Sequence, residues 1–276
     1  MTLSPADTAQ RLAARGLAPK RSLGPNFVVD PNTVRRIARL SGVGPGDQVL
    51  EIGAGLGALT RALVETGATV TAVEIDRGLA AVLRDELTPL GVHVVEGDAR
   101  ALDWPAMLGS HRWHLVANLP YNVATPLVAD LLDDVPQIAS MLVMVQREVA
   151  ERLAAGAGDD AYGAVSVKVA YWANARLAGR VPASVFLPRP KVESALVSIV
   201  RRDEPAVTDV DRERLFVLVR AGFAQRRKML RRALAGTIEP ERLPAVFAAA
   251  GIRPEARAEE LSVMQWGDLA RAEATA

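Results

Sequence analysis

Apolar positions along this chain alternate between two rhythms. Short runs rich in Val, Ile, Leu and Ala fall at 49–52, 69–73, 92–95, 115–117 and 141–145. Runs of that length, bounded by Gly, Asp or Asn, predict buried strands. Between them apolar residues recur three or four apart, as at Leu59, Leu63 and Val64 before Gly67, and again over 79–87. That spacing lays one apolar stripe along a helix, and Gly67 is placed to end the first of them. Strand, turn and helix in repetition predict a parallel sheet covered on both faces, a doubly wound α/β fold. An earlier helical pattern (Val34, Ile37, Ala38, Leu40) follows the turn-rich Gly24-Pro25-Asn26-Phe27-Val28-Val29-Asp30. Residues 1–23 read as an irregular or partly helical arm, basic at Arg11, Arg15, Lys20 and Arg21.

Beyond the fifth strand the pattern loosens. A helix-like stretch over 148–155 leads to Gly156-Ala157-Gly158-Asp159-Asp160, whose composition predicts a mobile loop, and ordered structure resumes over 164–173. Strand-like runs at 176–181 and 195–200 flank the proline-stiffened Phe186-Leu187-Pro188-Arg189-Pro190-Lys191-Val192. Arg201-Arg202-Asp203-Glu204-Pro205 reads as a linker, and everything after it is helical in pattern. The expected division is an α/β domain over 1–204, arm included, and a small all-α domain over 205–276, which is within the usual domain range.

Composition narrows the class. The 276 residues suffice for a large core, and 50% hydrophobic with 24% charged residues is ordinary for a globular protein. No apolar run approaches the roughly 18 residues that span a bilayer, and the first residues lack a basic-then-apolar leader. A cytoplasmic protein without membrane attachment is expected. With no cysteine and 3 histidines, disulfide and thiol chemistry are excluded and no metal is expected. The net charge of +1 conceals a local imbalance, because Arg220 to Ile238 holds six basic residues and no acid.

The candidate chemistry lies where strands end. Gly53-Ala54-Gly55-Leu56-Gly57 follows the first strand and opens a helix, so backbone can approach a ligand closely. Its spacing is G-x-G-x-G, not the G-x-G-x-x-G of dinucleotide sites, and Glu51 stands just before it. A carboxylate there disfavours pyrophosphate and suits the cationic amino-acid moiety of S-adenosylmethionine. Glu74, 21 residues beyond Gly53, ends the second strand, where an acid can bind both ribose hydroxyls of a nucleoside. Asp98, after the third, can accept from an exocyclic adenine amine. Either acid alone is an ordinary solvated strand terminus; a row of them along one sheet edge is a ligand site.

Asn118-Leu119-Pro120-Tyr121 ends the fourth strand. An adenine N6 amine is a poor nucleophile because its lone pair is delocalised into the ring. Hydrogen bonds accepted by the Asn118 side-chain oxygen and by a backbone carbonyl near Pro120 would localise that pair for attack on a methyl group. Tyr121 would stack on the base, and Phe186 would cover its other face. For each residue alone, a turn or a core position is the simpler account. From Phe216 to Leu234, apolar Phe216, Val219, Phe223, Leu230 and Leu234 predict one helical face, with Arg220, Arg227, Lys228, Arg231 and Arg232 beside it as a phosphate-contacting stripe. Arg35, Arg36 and Arg39 are candidates to extend it.

Taken together these stretches resemble the ribosomal RNA adenine N6,N6-dimethyltransferases, in particular the bacterial small-subunit enzymes. The likeness rests on Asn26-Phe27-Val28-Val29-Asp30, Glu51 to Gly57, Glu74-Ile75-Asp76, Gly97-Asp98-Ala99, Asn118 to Asn122, Phe186 to Ser194 and Phe223-Ala224-Gln225-Arg226-Arg227-Lys228, in family order over about 200 residues. The resemblance implies a Rossmann-like class I methyltransferase domain. It implies contacts to S-adenosylmethionine from Asn26, Val28, Gly53, Glu74, Asp98 and Asn118, and a grip on the target adenine by Asn118, Pro120, Tyr121 and Phe186. The implied partner is 16S ribosomal RNA in a small-subunit assembly intermediate, with two adjacent adenosines of the 3′-terminal hairpin dimethylated by a monomeric enzyme. Pro25 stands where the family usually has glutamine, and Val28 where leucine is common. The competing readings are a large-subunit dimethylase of the macrolide-resistance type, a non-catalytic assembly or transcription factor, a DNA adenine methylase and a nicotinamide-dependent reductase. The last two fit least, for want of a larger sequence-reading domain and of the right glycine spacing.

Overall fold

The computed structural model describes residues 26–275 together with Gln10. The expected N-terminal arm and Pro25 lie outside the described residues. Two compact units partition the chain. One holds residues up to Ala150 and Arg176–Arg201; the other holds Glu151–Ala175 and Arg202–Ala276. The single boundary expected at 204/205 is therefore corrected. Residues 151–175 leave the α/β unit and pack with the C-terminal helices, because Tyr162, Val167 and Tyr171 bury their side chains among Leu215, Phe216 and Val219.

The first unit is built on a seven-stranded sheet. Its strands are β2 (Gln48–Ile52), β3 (Thr69–Glu74), β4 (His93–Glu96), β5 (Trp113–Asn118), β6 (Ile138–Gln146), β7 (Ala173–Val181) and β9 (Ser194–Arg201). They lie in the order β4-β3-β2-β5-β6-β9-β7. The five strands from β2 to β6 are mutually parallel, whereas β9 runs antiparallel to β6, so the sheet is mixed and not parallel throughout. The chain builds outward from β2 through β3 to β4, then returns to place β5 on the other flank of β2. That reversal opens a crevice at the carboxyl ends of β2 and β5, where doubly wound sheets bind ligands.

Helices α1 (Pro31–Ser41), α2 (Ala58–Val64), α3 (Arg77–Leu87), α4 (Trp104–Leu108), α5 (Ala124–Asp134) and α6 (Arg147–Ala154) follow in chain order, α6 running from the first unit into the second. Local chemistry sets their ends. The Asp30 carboxylate accepts from the N–H groups of Asn32 and Thr33, Pro31 occupies the first turn, and Gly42 (φ 71°) closes α1 in the left-handed conformation. Asp76 caps α3 in the same way. Helix α5 has no glycine stop. The Arg201 guanidinium instead donates to the carbonyls of Leu131 and Leu132 in the helix's last turn, of Val135 at its cap and of Ile138 at the start of β6, at 2.9–3.1 Å. Arg201, expected in a linker, thus ends β9 and seals a helix. Two short strands, β1 (Phe27–Val28) and β8 (Phe186–Leu187), pair antiparallel in what sequence patterning treats as turn and loop.

The second unit contains α7 (Ala164–Trp172), α8 (Arg212–Ala224), α9 (Leu230–Ala233), α10 (Leu243–Ala249) and α11 (Val263–Thr275) around Trp266, which is fully buried. Gly156–Asp160, expected to be mobile, is pinned. The Gly156 N–H donates to the Asp159 carboxylate (2.8 Å) and the Gly158 N–H to the Glu259 carbonyl (2.9 Å).

Candidate active site

Four parallel strands deliver their carboxyl ends to one edge of the sheet. Gly53 follows β2, Glu74 ends β3, Asp98 lies just past β4 and Asn118 ends β5. The glycine turn is held across the end of β3, the Gly53 N–H donating to the Val73 carbonyl at 2.8 Å. Gly53 has φ 76°, and a Cβ there would stand 3.6 Å from Pro120 Cδ and 3.7 Å from the Asn118 carbonyl oxygen. Turn and Asn118–Tyr121 segment therefore lie side by side across the crevice. Gly55 (φ 60°) is covered by the Phe27 ring, which a Cβ would meet at 3.0 Å. The turn needs glycine both for its left-handed backbone and for its clearance.

The acids sit in different environments. Glu74 is buried, and its carboxylate accepts from the Gly55 N–H (2.8 Å) and the Asp76 N–H (2.9 Å). Burial pushes its pKa up, against those two bonds. Glu51 is 2% exposed, and burial, with Glu74 nearby, raises its carboxyl to about 8. The Thr60 hydroxyl is close enough to favour the anion without completing a hydrogen bond, and Glu51 Oε2 has no partner among the described residues. The pKa of the Asp98 carboxyl is lowered by Arg100, which reaches both its oxygens at 3.2 and 2.8 Å. Sequence reading missed Arg100. Any ligand amine that binds Asp98 shares the carboxylate with that guanidinium.

Asn118 meets a residue 92 positions away. Its Nδ2 donates to the Asn26 carbonyl at 2.9 Å. A carbonyl only accepts, so this contact identifies the nitrogen end of the amide and leaves Oδ1 as the free acceptor. The Pro120 carbonyl accepts from both Val123 and Ala124, which start α5. The Leu119 carbonyl accepts no bond from the described residues, making it the backbone acceptor beside Oδ1. The half-buried Tyr121 ring is fixed by a 2.7 Å bond between its hydroxyl and that of the fully buried Ser194. Burial raises the Tyr121 hydroxyl pKa, opposed by that bond.

Two expected contacts stand differently. Phe186 is 3% exposed and packs with Val28, Val181 and Leu196, so its ring backs the site instead of facing a base. The side chain of Val28 is likewise core, and only its backbone is free to address a ligand. Both follow from the β1–β8 pairing, which single-strand patterning does not reveal.

On the second unit Arg220, Arg227, Lys228, Arg231 and Arg232 are all exposed, and no carboxylate among the described residues pairs with them. The continuous helix expected over 216–234 is corrected to α8, a turn and α9. The Leu230 N–H donates to the Ala256 carbonyl (2.7 Å), and Arg226 is held by the Glu259 carboxylate and the Asp160 carbonyl, each at 2.6 Å. These tertiary bonds turn the chain at Gln225–Lys228 and neutralise one of the six basic charges.

A seven-stranded doubly wound sheet with acids and a glycine turn at its switch point, and an N-L-P-Y segment across the crevice, defines the nucleoside-cofactor methyltransferase class. More narrowly, the chain belongs to the ribosomal RNA adenine dimethylase family, whose model matches residues 16–274. It is 46% identical over 278 residues to the ribosomal RNA small subunit methyltransferase A of Streptomyces coelicolor, covering 97% of this chain and 96% of that one. The protein of the same name from Thermobifida fusca is 46% identical over 276 residues, covering 97% and 95%. Among solved structures, the 23S rRNA methyltransferase ErmE aligns with a TM-score of 0.71 at 27% identity, covering 90% of this chain and 100% of that one. A dimethyladenosine transferase from Plasmodium falciparum aligns at 0.74 and 23%, covering 87% and 94%, a likeness of fold.

Proposed function

We propose that this protein transfers methyl groups from S-adenosylmethionine to the N6 atoms of two adjacent adenosines in the 3′-terminal hairpin of 16S ribosomal RNA. It is an S-adenosylmethionine-dependent methyltransferase of the ribosomal RNA adenine dimethylase family. The observation that carries the chemistry is the Asn118 amide, anchored through Nδ2 to the Asn26 carbonyl, which leaves Oδ1 and the neighbouring Leu119 carbonyl without a donor among the described residues. The small-subunit target is favoured over the large-subunit one because 46% identity to small-subunit enzymes runs nearly end to end, against 27% to ErmE.

The residues fit the cofactor. Gly53 brings bare backbone to the crevice beside Pro120 and Asn118; Glu74 and Asp98 place carboxylates at successive strand ends, and Glu51 carries a buried oxygen without a partner beside the glycine turn. S-adenosylmethionine, when bound, supplies an electrophilic methyl on a positively charged sulfur. Glu74 would take the ribose hydroxyls and Asp98 the cofactor's adenine amine, with Asn26, Val28 and Gly53 contributing backbone. Glu51, whose buried carboxyl holds its proton at neutral pH in the isolated fold, would offer an acceptor oxygen beneath the turn.

Oδ1 of Asn118 and the Leu119 carbonyl accept the two N6–H bonds of the target base. Their dipoles draw the nitrogen lone pair out of conjugation. Both oxygens would stabilise the positive charge growing on nitrogen as it takes the methyl group from the donor sulfur. The alkylated nitrogen then releases a proton to solvent, so no strong base is required beforehand. Pro120 stiffens the acceptor backbone and Tyr121, locked by Ser194, stacks on the base. Stacking by Phe186 requires β8 to shift. The exposed basic residues of the second unit hold RNA phosphates, and the working form is a monomer acting on an assembly intermediate in the cytoplasm. No helix among the described residues is long and apolar enough to cross a membrane.

The test uses labelled cofactor and small subunits lacking the modification, with the label mapped by nuclease digestion and mass spectrometry. Dimethyladenosine in the terminal hairpin is the expected product. Label confined to large-subunit RNA, or none at all, would refute the assignment.

A further inference from the structure

Two acid-free stretches of the α/β unit, far apart in sequence, form one surface. Residues 31–46 contain Arg35, Arg36 and Arg39, and residues 176–192 contain Arg176 and Arg180; neither stretch has a single Asp or Glu. The fold joins them. Arg36 Nη1 donates to the Arg180 carbonyl at 3.0 Å, across 144 positions, and its guanidinium fills the space over Gly179, which has φ 149°. Strand β7 is the last of the sheet, so its outer edge carries unpaired backbone, and Arg36 covers one carbonyl of it. Arg35, Arg39, Arg176 and Arg180 are exposed. Among the described residues no carboxylate pairs with any of the five. Arg61, Arg84 and Arg147 of the same unit, by contrast, each sit within 3.1 Å of a glutamate.

Helix α1 also connects directly to the active site. Asn26, whose carbonyl anchors Asn118, lies four residues before the Asp30 cap of α1. A concentration of guanidinium groups with no counter-charge gains nothing for the isolated fold, and it suits a polyanion whose phosphates accept forked hydrogen bonds. We propose that the α1–β7 face is a phosphate-binding surface, holding the backbone of the substrate RNA while the target adenine lies against Asn118. The surface is sequence-independent and sets the register of the RNA; the base itself is read at Asn118 and Tyr121. This rests on the methyltransferase reading above.

The test compares Arg35→Gln/Arg39→Gln, Arg176→Gln/Arg180→Gln and a control, Arg112→Gln, at an exposed arginine just before β5. Glutamine keeps helix propensity and leaves no broken ion pair. Binding of a small-subunit RNA fragment bearing the terminal hairpin is measured from low to high salt, alongside methyl transfer to unmodified small subunits. Each double variant should lower the slope of log affinity against log salt by roughly 1.4–1.8, two phosphate contacts at about 0.7–0.9 each. Its KM for subunits should rise about tenfold, with cofactor affinity, kcat and melting temperature unchanged. The control should match wild type. Unchanged slope and KM in both double variants, with wild type active, would overturn the proposal; so would aggregation alone, the sign of simple edge protection. Weaker binding with an unchanged salt slope would point to a protein partner at half-exposed Leu177 and overturn it too. Wild-type protein that binds RNA with the expected slopes but transfers no methyl group would sink the enzymatic reading and leave the surface standing.

Discussion

Replacing Asn118 separates anchoring from catalysis. In Asn118→Ala the bond from Nδ2 to the Asn26 carbonyl disappears, a neutral hydrogen bond of 2.9 Å at a half-buried site, with a stability cost of about 1 kcal/mol. In the proposed mechanism the same change removes Oδ1, the acceptor that would stabilise the charge growing on the attacking nitrogen. Loss of one such preorganised group costs roughly 10²–10³ in kcat, about 3–4 kcal/mol. Catalysis should thus suffer far more than folding. Asn118→Asp keeps an acceptor but sets a carboxylate oxygen against the Asn26 carbonyl, two acceptors with no proton between them. The side chain must turn away, and kcat should fall by about 10–10², between alanine and wild type. Single-turnover methyl transfer at saturating cofactor reads the chemical step; calorimetry reads cofactor affinity and thermal melting reads stability. A rate for Asn118→Ala within about threefold of wild type would refute the acceptor role. A full rate at saturation with cofactor affinity lost would reassign Asn118 to cofactor binding alone.

Other consequences arise from particular contacts. Glu51, raised from 4.5 to about 8, holds a proton in the folded state that it sheds when unfolded, so it favours folding at low pH and loses that contribution as pH rises through about 8. Each pH unit within that window costs about 1.4 kcal/mol, so Glu51→Gln should flatten the pH dependence of stability and melt above wild type at pH 8; parallel pH profiles would contradict this. Arg201→Met removes four hydrogen bonds to carbonyls, two of which (Leu131 and Val135) keep a backbone donor, and denaturant unfolding should show a loss of about 2–4 kcal/mol, with Arg201→Lys intermediate. Charge reversal at Arg227 and Lys228, both exposed and unpaired among the described residues, should weaken RNA binding and flatten its salt dependence while sparing cofactor affinity. Retained affinity in that variant would remove the α8–α9 turn from the RNA surface.

Much of the candidate site's edge was legible before any coordinates, because buried parallel strands advertise themselves. Each is a short apolar run, and the residues just after it must lie at the sheet's carboxyl edge, so Gly53, Glu74, Asp98 and Asn118 could be placed in one row from spacing alone. Their partners were not legible. Arg100 is an ordinary residue type with nothing in the pattern to mark it, and although Asn26 and Ser194 lie in motifs that carry the resemblance, their bonds to Asn118 and Tyr121 appear only in the fold. Phe186 illustrates the converse. Its motif suggested a ring over a base, yet a two-residue ladder too short to produce an alternation pattern draws it into the core.

The chain by itself therefore determined the sheet-forming runs, the turn that only glycine can make, the acids at strand ends and the basic residues near the C-terminus. All of these are local properties of propensity, backbone conformation and charge. Tertiary structure decided what depends on closing long loops. It reversed β9 against β6, moved 151–175 into the helical unit and broke the expected long helix at Gln225 by binding Leu230 and Arg226 elsewhere. It also assembled the α1–β7 arginine face from stretches 144 positions apart. Pairing and register across such distances are settled by packing the whole core at once, and no window of sequence contains that information.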